Sequence, residues 1–287
     1  MRQLLAILGA AVVVGLVAAG FAGALSGSVP APPANPTSAD QIQNIDQVKT
    51  AIKGYYGDTP TSQDDPVTTD GATVKLHQFS PTSAYANEMA GLVSDAEKYL
   101  NNPPGSGNGK KFSGTKAILF DIDDTTLNTY SYEIYSNFVF NPGTNAAFVN
   151  ACLAPVSQCA FPATPGMVGL EKYAEGLGYT IFFLTGRPQN PTTGANQRPG
   201  TVANLEAVGY DVTDANLYLK DANATTQPWL SSCAPTCSTT QYKSLTRQHI
   251  ESLGYDIVAN FGDQFSDLNG GFADQTFKVP NPMYFLP

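Results

Sequence analysis

The N-terminal half of the chain carries apolar residues at helical spacing, broken by polar segments. Their recurrence every three or four positions predicts one helix over Ala39–Tyr56 and a second over Pro81–Leu100. Ser80 is the predicted N-cap of the second helix, because serine before a proline at the first helical position is a common helix start. The polar segment Asp58–Gly71 between the helices contains proline and glycine, which predicts a loop.

After Gly114 the pattern changes, and short apolar runs alternate with segments of helical spacing. The apolar runs predict buried strands at Lys116–Asp121, Thr180–Leu184, Leu217–Leu219, Asp256–Phe261 and Thr276–Val279. The segments of helical spacing are Val168–Leu177, Thr201–Val208 and Ser244–Leu253. This alternation predicts an α/β fold, with a Rossmann-like parallel sheet and helices on both of its faces.

The N-terminus predicts a signal peptide and linker over residues 1–36. One positive charge at Arg2 precedes a run from Leu4 to Leu25 without any charged residue. Ala22-Gly23-Ala24 has the small-x-small pattern of a signal-peptidase site. The same run is long enough to serve as an uncleaved membrane anchor. In either case we expect the rest of the chain outside the cytoplasm, as a secreted, periplasmic or cell-envelope protein.

The cysteine count changes the picture further, because four cysteines in an exported chain favour disulfides. The pairs Cys152–Cys159 and Cys233–Cys237 are the simplest of the three pairings, since each closes a short loop that contains proline. A zinc site is the alternative. It is disfavoured because the chain has 2 histidines and its cysteine pairs lack the usual C-x₂-C spacing.

The net charge of −9, without a basic stripe, argues against nucleic acid as a partner. A small phosphorylated substrate is compatible with this charge, because a bound metal can reverse the field within one cleft. We expect contact with a membrane only through an uncleaved leader. The oligomeric state is left open by the sequence.

Candidate chemistry collects after three of the four main predicted strands. The clusters are Asp121-Ile122-Asp123-Asp124-Thr125, Thr185-Gly186-Arg187-Pro188 and Gly262-Asp263-Gln264-Phe265-Ser266-Asp267. Ligands of open parallel sheets bind beyond the carboxyl ends of the strands. The three clusters are therefore predicted to converge on one crevice.

The first cluster places two carboxylates, Asp121 and Asp123, on the same side of a loop. Carboxylates this close require a cation or a shared proton, and hard oxygen ligands suit Mg²⁺. One carboxylate could attack phosphorus while the other acts as acid and then base. A turn that caps the next helix is the plainer alternative. A calcium loop of the EF-hand type is excluded, because Thr126 and Tyr132 stand where glycine and glutamate are required.

In their order along the chain, these motifs resemble the four motifs of the haloacid dehalogenase superfamily. They are Asp121-x-Asp123-x-Thr125, Thr185-Gly186-Arg187, Lys243 and Gly262-Asp263-x-x-x-Asp267. Within the superfamily, the chain most resembles the class B-type acid phosphatases and the plant vegetative storage proteins. The resemblance extends from Lys116 to the C-terminus, where Thr276–Tyr284 also resembles the storage-protein branch.

The resemblance implies an exported, Mg²⁺-dependent acid phosphatase that hydrolyses phosphate monoesters through an aspartyl-phosphate intermediate. It implies that Asp121 is the nucleophile, that Asp123 is the general acid and base, and that Thr185 and Lys243 bind the transferring phosphoryl group. The implied metal residues are Asp121, Asp123 through its backbone carbonyl, Asp263 and Asp267. The implied substrate-binding residues are Thr185, Gly186, Arg187 and Lys243.

Several alternatives remain within this interpretation. Lys220 competes with Lys243 for the lysine role, although motif order favours Lys243. Arg187 could bind substrate phosphate or pair with a carboxylate. The aromatic residues Tyr130, Tyr132, Tyr135, Phe138 and Phe140 could stack a leaving group or pack a small cap.

The predicted organisation is an N-terminal helical extension over residues 37–114, followed by a catalytic core over 115–287 with a small cap at about 128–167. A storage or binding protein with the same fold and little turnover is the alternative function. Asp121 and Asp123, which are both present, argue against it.

Overall fold

A computed structural model describes residues 35–38, 41–42, 44–68, 74–104, 113–153, 158–190, 195–221 and 226–286. The predicted export signal, up to residue 34, lies outside them. Within these ranges, no helix combines the length and the apolar character that crossing a membrane requires. The chain forms two compact units, of which the second, Lys49–Pro287, contains the sheet and all the candidate site residues.

The elements before the sheet differ in part from the prediction. Helix α1 (Ile45–Tyr56) ends where predicted but begins later, and helix α2 spans Ala84–Asn101. The N-cap of α2 is Ser83, whose hydroxyl accepts from the backbone N–H of Ala86 at 3.1 Å. The prediction of Ser80 was wrong, because Ser80 lies in a turn where its carbonyl accepts from the N–H of Ser83.

The predicted loop over Asp58–Gly71 was also wrong. Its first part, Thr59–Asp64, forms strand β1, which pairs antiparallel with β2 (Lys75–Gln78). The pairing joins Thr59 to Gln78, so the strand depends on a partner beyond the segment itself. Local composition carries no signal for such a pairing, since β1 is polar and half exposed.

Five strands form a parallel sheet in the part of the chain that the structure describes, as predicted. They are β3 (Thr115–Phe120), β4 (Thr180–Asn190), β6 (Leu217–Lys220), β7 (Tyr255–Gly262) and β8 (Gln275–Lys278). Their order across the sheet is β6-β4-β3-β7-β8. The short strand β5 (Ala195–Asn196) pairs antiparallel with the end of β4, which extends past the predicted Leu184.

Helices surround this sheet and supply its connections. They are α3 (Tyr130–Tyr135), α4 (Pro142–Val149), α5 (Met167–Gly176), α6 (Arg198–Val208), α7 (Thr239–Ser252) and α8 (Phe265–Leu268). Helix α7 begins before the predicted Ser244, because Ser238 and Gln241 form a reciprocal capping box at its start. Lys243 therefore lies inside the helix rather than before it.

The core lies on both faces of the sheet, which confirms the predicted layering. Ile118 and Phe120 of β3 join one apolar cluster, while Ala117 and Leu119 join the other, as the alternation of a strand requires. The first cluster also contains buried side chains of the N-terminal helices, such as Tyr56 and Met89.

Both predicted disulfides are present, Cys152–Cys159 and Cys233–Cys237, and no described cysteine is free. The zinc alternative is thereby excluded, because a thiolate must be unoxidised to bind metal.

Candidate active site

A cavity of about 410 Å³ opens at the carboxyl edge of the sheet. The ends of β3, β4 and β7 meet there, so the three polar clusters converge as predicted. All eight sequence-predicted site residues line this cavity: Asp121, Asp123, Thr185, Gly186, Arg187, Lys243, Asp263 and Asp267.

Three buried carboxylates form the floor of the cavity. Asp121, Asp263 and Asp267 each offer an oxygen, and these three oxygens lie within 4.8 Å of one another. Burial raises the pKa of Asp121 and of Asp263 well above the usual carboxyl value, and in each case the charge of Asp267 adds to this effect. Carboxylate oxygens are the donors that hard divalent cations prefer, so this cluster could hold one.

Gly262, the last residue of β7, makes room for the cluster. A Cβ atom at this position would lie 2.3 Å from the Cβ of Asp267 and 2.8 Å from its Oδ2. Only a residue without a side chain lets β7 approach Asp267 this closely. The glycine of the Gly262-Asp263 motif therefore has a steric role.

Lys243 lies on α7 and supplies the positive charge beside this cluster. Its ammonium group is buried and forms ion pairs with Asp121 and, at 2.6 Å, with Asp267. Burial opposes the charged form, but the two carboxylates outweigh it and raise the pKa of Lys243. The rival Lys220 lies elsewhere, donating to the carbonyl of Cys237 at 3.0 Å.

Arg187 and Asp123 form a two-donor ion pair beside the cluster. Nη2 of Arg187 lies 2.6 Å from Oδ1 of Asp123, and Nε lies 3.0 Å from Oδ2. Nη1 donates to Thr201 at 2.9 Å, and the hydroxyl of Thr185 accepts from the Arg187 backbone at 3.1 Å. Of the two alternatives for Arg187, the structure shows the carboxylate pair. The Asp123 side chain is therefore paired with Arg187 and does not belong to the cluster of Asp121, Asp263 and Asp267.

Asp124 shapes the loop that presents Asp121 and Asp123. It has a positive φ of 54° and is fully buried, where it accepts from the backbone of Thr129 at 3.0 Å and from the Tyr284 hydroxyl at 2.8 Å. Burial raises the pKa of Asp124 to about 7. Asp124 anchors the turn rather than facing the cavity.

Sequence reasoning missed the groups that hold the acidic residues in place. Asp263 accepts from Gln264 at 2.6 Å and from Asn281 at 2.7 Å. Arg247 is fully buried and donates to the backbone carbonyls of Asp267, Asn269 and Gly271. The resemblance of Thr276–Tyr284 to the storage-protein branch marked the C-terminal segment, but it gave no role for Asn281.

The aromatic residues that follow the Asp121–Thr125 loop divide between the two alternatives. Tyr130 stacks on Tyr56 at 4.5 Å and Tyr135 packs against Phe148 at 5.3 Å, so these two belong to the protein interior. Tyr132, Phe138 and Phe140 instead line the cavity. Glu133 lies among them and was not predicted from the sequence.

Comparisons with known proteins agree with this architecture. The sequence profile of HAD superfamily subfamily IIIB, described as acid phosphatase, matches residues 67–287. The chain is 33% identical over 176 residues to the stem 28 kDa glycoprotein of Glycine max, a match spanning 59% of each chain. It is 32% identical over 178 residues to acid phosphatase 1 of Solanum lycopersicum, spanning 60% of each.

A vegetative storage protein 1 of Arabidopsis thaliana is 27% identical over 174 residues, which cover 59% of this chain and 55% of the relative. The chain thus spans less than two thirds of the length of these relatives. The class C acid phosphatase of Bacillus anthracis shares the fold, with a TM-score of 0.51, 23% identity, and coverage of 70% of this chain and 80% of that one. The profile match covers most of the sequence and includes all four motifs. The chain therefore belongs to subfamily IIIB of the haloacid dehalogenase (HAD) superfamily, the acid phosphatase subfamily.

Proposed function

We propose that this protein is an exported, Mg²⁺-dependent acid phosphatase that hydrolyses phosphate monoesters through an aspartyl-phosphate on Asp121. The observation that carries the proposal is the meeting of Asp121, Lys243, Asp263 and Asp267 in one cavity. Phosphoryl transfer needs an in-line nucleophile and positive charge around the phosphoryl oxygens. A cavity with one nucleophilic carboxylate, one buried lysine and a divalent-cation site supplies both.

The carboxylate of Asp121 is the proposed nucleophile. Its oxygen attacks phosphorus, the bond from phosphorus to the ester oxygen breaks, and the alcohol leaves. Lys243 orients Asp121 through their ion pair and faces the phosphoryl oxygens as they gain charge. Thr185, buried beside them, donates its hydroxyl hydrogen to the same group.

Asp123 is the proposed acid and base. It gives its proton to the departing alcohol, then takes a proton from the water that hydrolyses the aspartyl-phosphate, releasing phosphate and restoring Asp121. The two donors of Arg187 fix the orientation of its carboxylate. Gly186 lies on the same wall, where a side chain would meet nothing within 4 Å, which leaves room for substrate.

Mg²⁺ would be held by the carboxylates of Asp121, Asp263 and Asp267, with the backbone carbonyl of Asp123 as a further ligand. The donor set fits it, because these are oxygen ligands with concentrated negative charge and little solvent exposure. When bound, Mg²⁺ neutralises negative charge on the phosphoryl group.

Export is proposed from the leader together with the two disulfides. Structural disulfides persist in oxidising compartments and are rare in the cytosol. The acidic pH optimum is part of the proposal and rests on membership of the acid phosphatase subfamily.

A second candidate function is storage or binding with little turnover. It is favoured by the relatives named stem glycoprotein and vegetative storage protein. The presence of Asp121, Asp123 and Lys243 in one cavity argues against it.

The test is hydrolysis of p-nitrophenyl phosphate by the full chain, with Mg²⁺ or with EDTA, from acidic to neutral pH. We expect metal-dependent turnover, and a loss of about a thousandfold or more in Asp121→Asn. Asp211→Asn, which changes a mostly exposed carboxylate, is the matched control. Calorimetric titration with Mg²⁺ gives a separate readout, and Asp263→Asn should weaken that binding. Absence of turnover in folded, Mg²⁺-bound protein would favour storage or binding.

A further inference from the structure

Glu133 is a buried carboxylate on the wall of the active-site cavity that the proposed reaction does not use. It lies on α3, is 6% exposed and lines the cavity. Among the residues that the structure describes, none donates a hydrogen bond to its carboxylate or forms an ion pair with it. An acidic group taken out of water without a partner is costly. A partner that enters the cavity from outside would remove this cost.

The backbone around Glu133 is shaped to place aromatic groups beside it. Asn137 and Phe138 both have positive φ angles, 56° and 61°, which are unfavourable for residues with side chains. The turn is held by a hydrogen bond of 2.8 Å from the N–H of Phe138 to the carbonyl of Glu133. Two consecutive strained residues are expected where function requires the geometry. Here the turn places Phe138 on the cavity wall.

Aromatic side chains line the same cavity as Glu133. Tyr132, Phe138, Phe140 and Phe285 all line it. Phe140 and Phe285 are 71% and 66% exposed, so they form the rim rather than the core. Aromatic faces attract cations, and quaternary and primary ammonium groups are recognised by such surroundings.

Arg187 does not serve as the counter-ion of Glu133, because its guanidinium donates two hydrogen bonds to Asp123 instead. Burial, and after it the charge of Asp123, raises the pKa of Glu133 to about 7. Both influences act against a negative charge that lacks a counter-ion. Glu133 therefore lines the cavity without a counter-ion among the described residues, whereas the carboxylates of Asp121 and Asp267 are paired with Lys243.

We propose that Glu133 is a specificity-determining residue that binds the ammonium group of the leaving alcohol, so that the enzyme prefers phosphate monoesters of amino alcohols. The proposal rests on the proposed function, since it concerns the substrate of the same site. A substrate that carries both a phosphate and an ammonium group offers a partner to Lys243 and a partner to Glu133, which line the same cavity. The ammonium group pairs with Glu133, whose ionised form it favours by its opposite charge, and lies against the aromatic residues that line the cavity.

The test compares three substrates of similar size and different charge: O-phosphoethanolamine, propyl phosphate and 2-phosphoglycolate. In these the distal group is an ammonium, a methyl group and a carboxylate. We expect kcat/KM in the wild-type protein to follow that order, with about a tenfold preference for phosphoethanolamine over propyl phosphate. Equal values, or the reverse order, would overturn the proposal without any variant.

Glu133→Gln removes the charge and keeps the shape of the side chain. We expect the ratio of kcat/KM for phosphoethanolamine to that for propyl phosphate to fall about tenfold in this variant. Glu171→Gln is the matched control, because Glu171 is also buried but lies outside the cavity lining, and the ratio should not change. An unchanged ratio in Glu133→Gln would refute the role of Glu133.

Turnover of p-nitrophenyl phosphate distinguishes a failure of the Glu133 proposal from a failure of the proposed phosphatase function. If the wild-type protein hydrolyses it but does not discriminate by charge, the proposal about Glu133 fails and the phosphatase function stands. If the wild-type protein, folded and supplied with Mg²⁺, does not hydrolyse it, the proposed function fails and the proposal falls with it.

Discussion

Arg187 donates two hydrogen bonds to the carboxylate of Asp123, from Nη2 to Oδ1 at 2.6 Å and from Nε to Oδ2 at 3.0 Å. Its third nitrogen, Nη1, donates to the hydroxyl of Thr201 at 2.9 Å. Arg187 is buried, with 4% of its surface exposed, while the Asp123 side chain is 29% exposed and open to the cavity. Such a planar fork fixes both the position and the tilt of a carboxylate. In the proposed reaction, Arg187 therefore orients the carboxyl group of Asp123 toward the oxygen of the leaving alcohol, which receives the proton.

Arg187→Lys is therefore expected to lower kcat about ten- to a hundredfold, because lysine offers a point charge in place of the fork. The loss should be greater for an alkyl phosphate than for p-nitrophenyl phosphate, since the poorer leaving group depends more on protonation. Mg²⁺ affinity should change little, because Arg187 does not contact the carboxylate cluster. Steady-state kinetics with both esters, beside a calorimetric Mg²⁺ titration, measures all three effects.

Arg198→Lys is the control for this experiment, since Arg198 pairs with the exposed Asp214 at 2.8 Å and does not line the cavity. Its kinetics should match the wild-type protein for both esters. An equal loss for the two esters in Arg187→Lys would contradict the role of Arg187 in orienting the proton donor.

Gly262→Ala should disrupt the proposed metal site through one added methyl group. The new Cβ would lie 2.3 Å from the Cβ of Asp267, so either β7 or α8 must move. Such overpacking costs typically about 1–3 kcal/mol of unfolding free energy. We expect a lower melting temperature, weaker Mg²⁺ binding and a loss of activity, measured by thermal denaturation, calorimetry and ester hydrolysis.

Gly169→Ala provides the contrast. Gly169 lies within α5, and a Cβ atom there meets nothing within 4 Å. Replacing a helical glycine by alanine should stabilise the fold by about 0.5–1 kcal/mol and leave activity intact. If both variants behaved alike, the steric account of Gly262 would be wrong.

The parallel sheet and the convergence of its motifs were predictable, because both follow from local patterns. Buried parallel strands are short apolar runs, and the rule that ligands bind at their carboxyl ends needs only the strand assignments. The lysine was found by motif order, and the structure places Lys243 beside Asp121 although 122 positions separate them. The local apolar pattern therefore predicted most of the fold, and the order of the motifs identified the main acidic residues of the cavity.

The remaining features depend on contacts that no local pattern encodes. Tyr284 donates to Asp124 across 160 positions, and β1 becomes a strand only when β2 pairs with it. Glu133 was not singled out from the sequence, because no local pattern marks it as a buried residue of the cavity wall. The boundaries of the cap and of the N-terminal extension stay predictions.

Asp65 should link the stability of the β1–β2 pair to pH. Its carboxylate accepts from the backbone N–H groups of Val67, Thr68 and Val74, at 2.9, 2.7 and 2.9 Å. Burial favours protonation, but the three donors outweigh it and lower the pKa of Asp65. A lowered pKa stabilises the fold above the unfolded value of roughly 3.9, and this contribution is lost as pH falls through the folded pKa.

Asp65→Ala should therefore cost about 1–3 kcal/mol near neutral pH, and less as the pH falls below roughly 4. Urea unfolding at a series of pH values measures this difference. Asp64→Ala is the control, because Asp64 is a half-exposed neighbour paired with Lys75 at the surface. A constant difference between wild type and Asp65→Ala at all pH values would contradict the linkage.

His249 stacks on Trp229, the one tryptophan of the chain, with ring centroids 3.9 Å apart and planes 4° from parallel. Burial lowers the pKa of His249, so the folded protein favours the neutral ring. The neutral His249 ring therefore contributes its full stabilisation of the fold above the pKa of histidine in the unfolded chain, roughly 6.5. This stabilisation is lost as the pH falls through the lower pKa of His249 in the folded protein. Protonated imidazole quenches indole emission, so Trp229 fluorescence should fall in a single transition below that unfolded value.

His249→Gln should abolish this fluorescence transition. His77→Gln is the matched control, because His77, the other histidine, instead pairs with Asp58 at 2.7 Å. The His77 variant should retain the wild-type transition. A transition that survived in His249→Gln would show that another group near Trp229 titrates, and the stack would then have no part in the acid response of the fold.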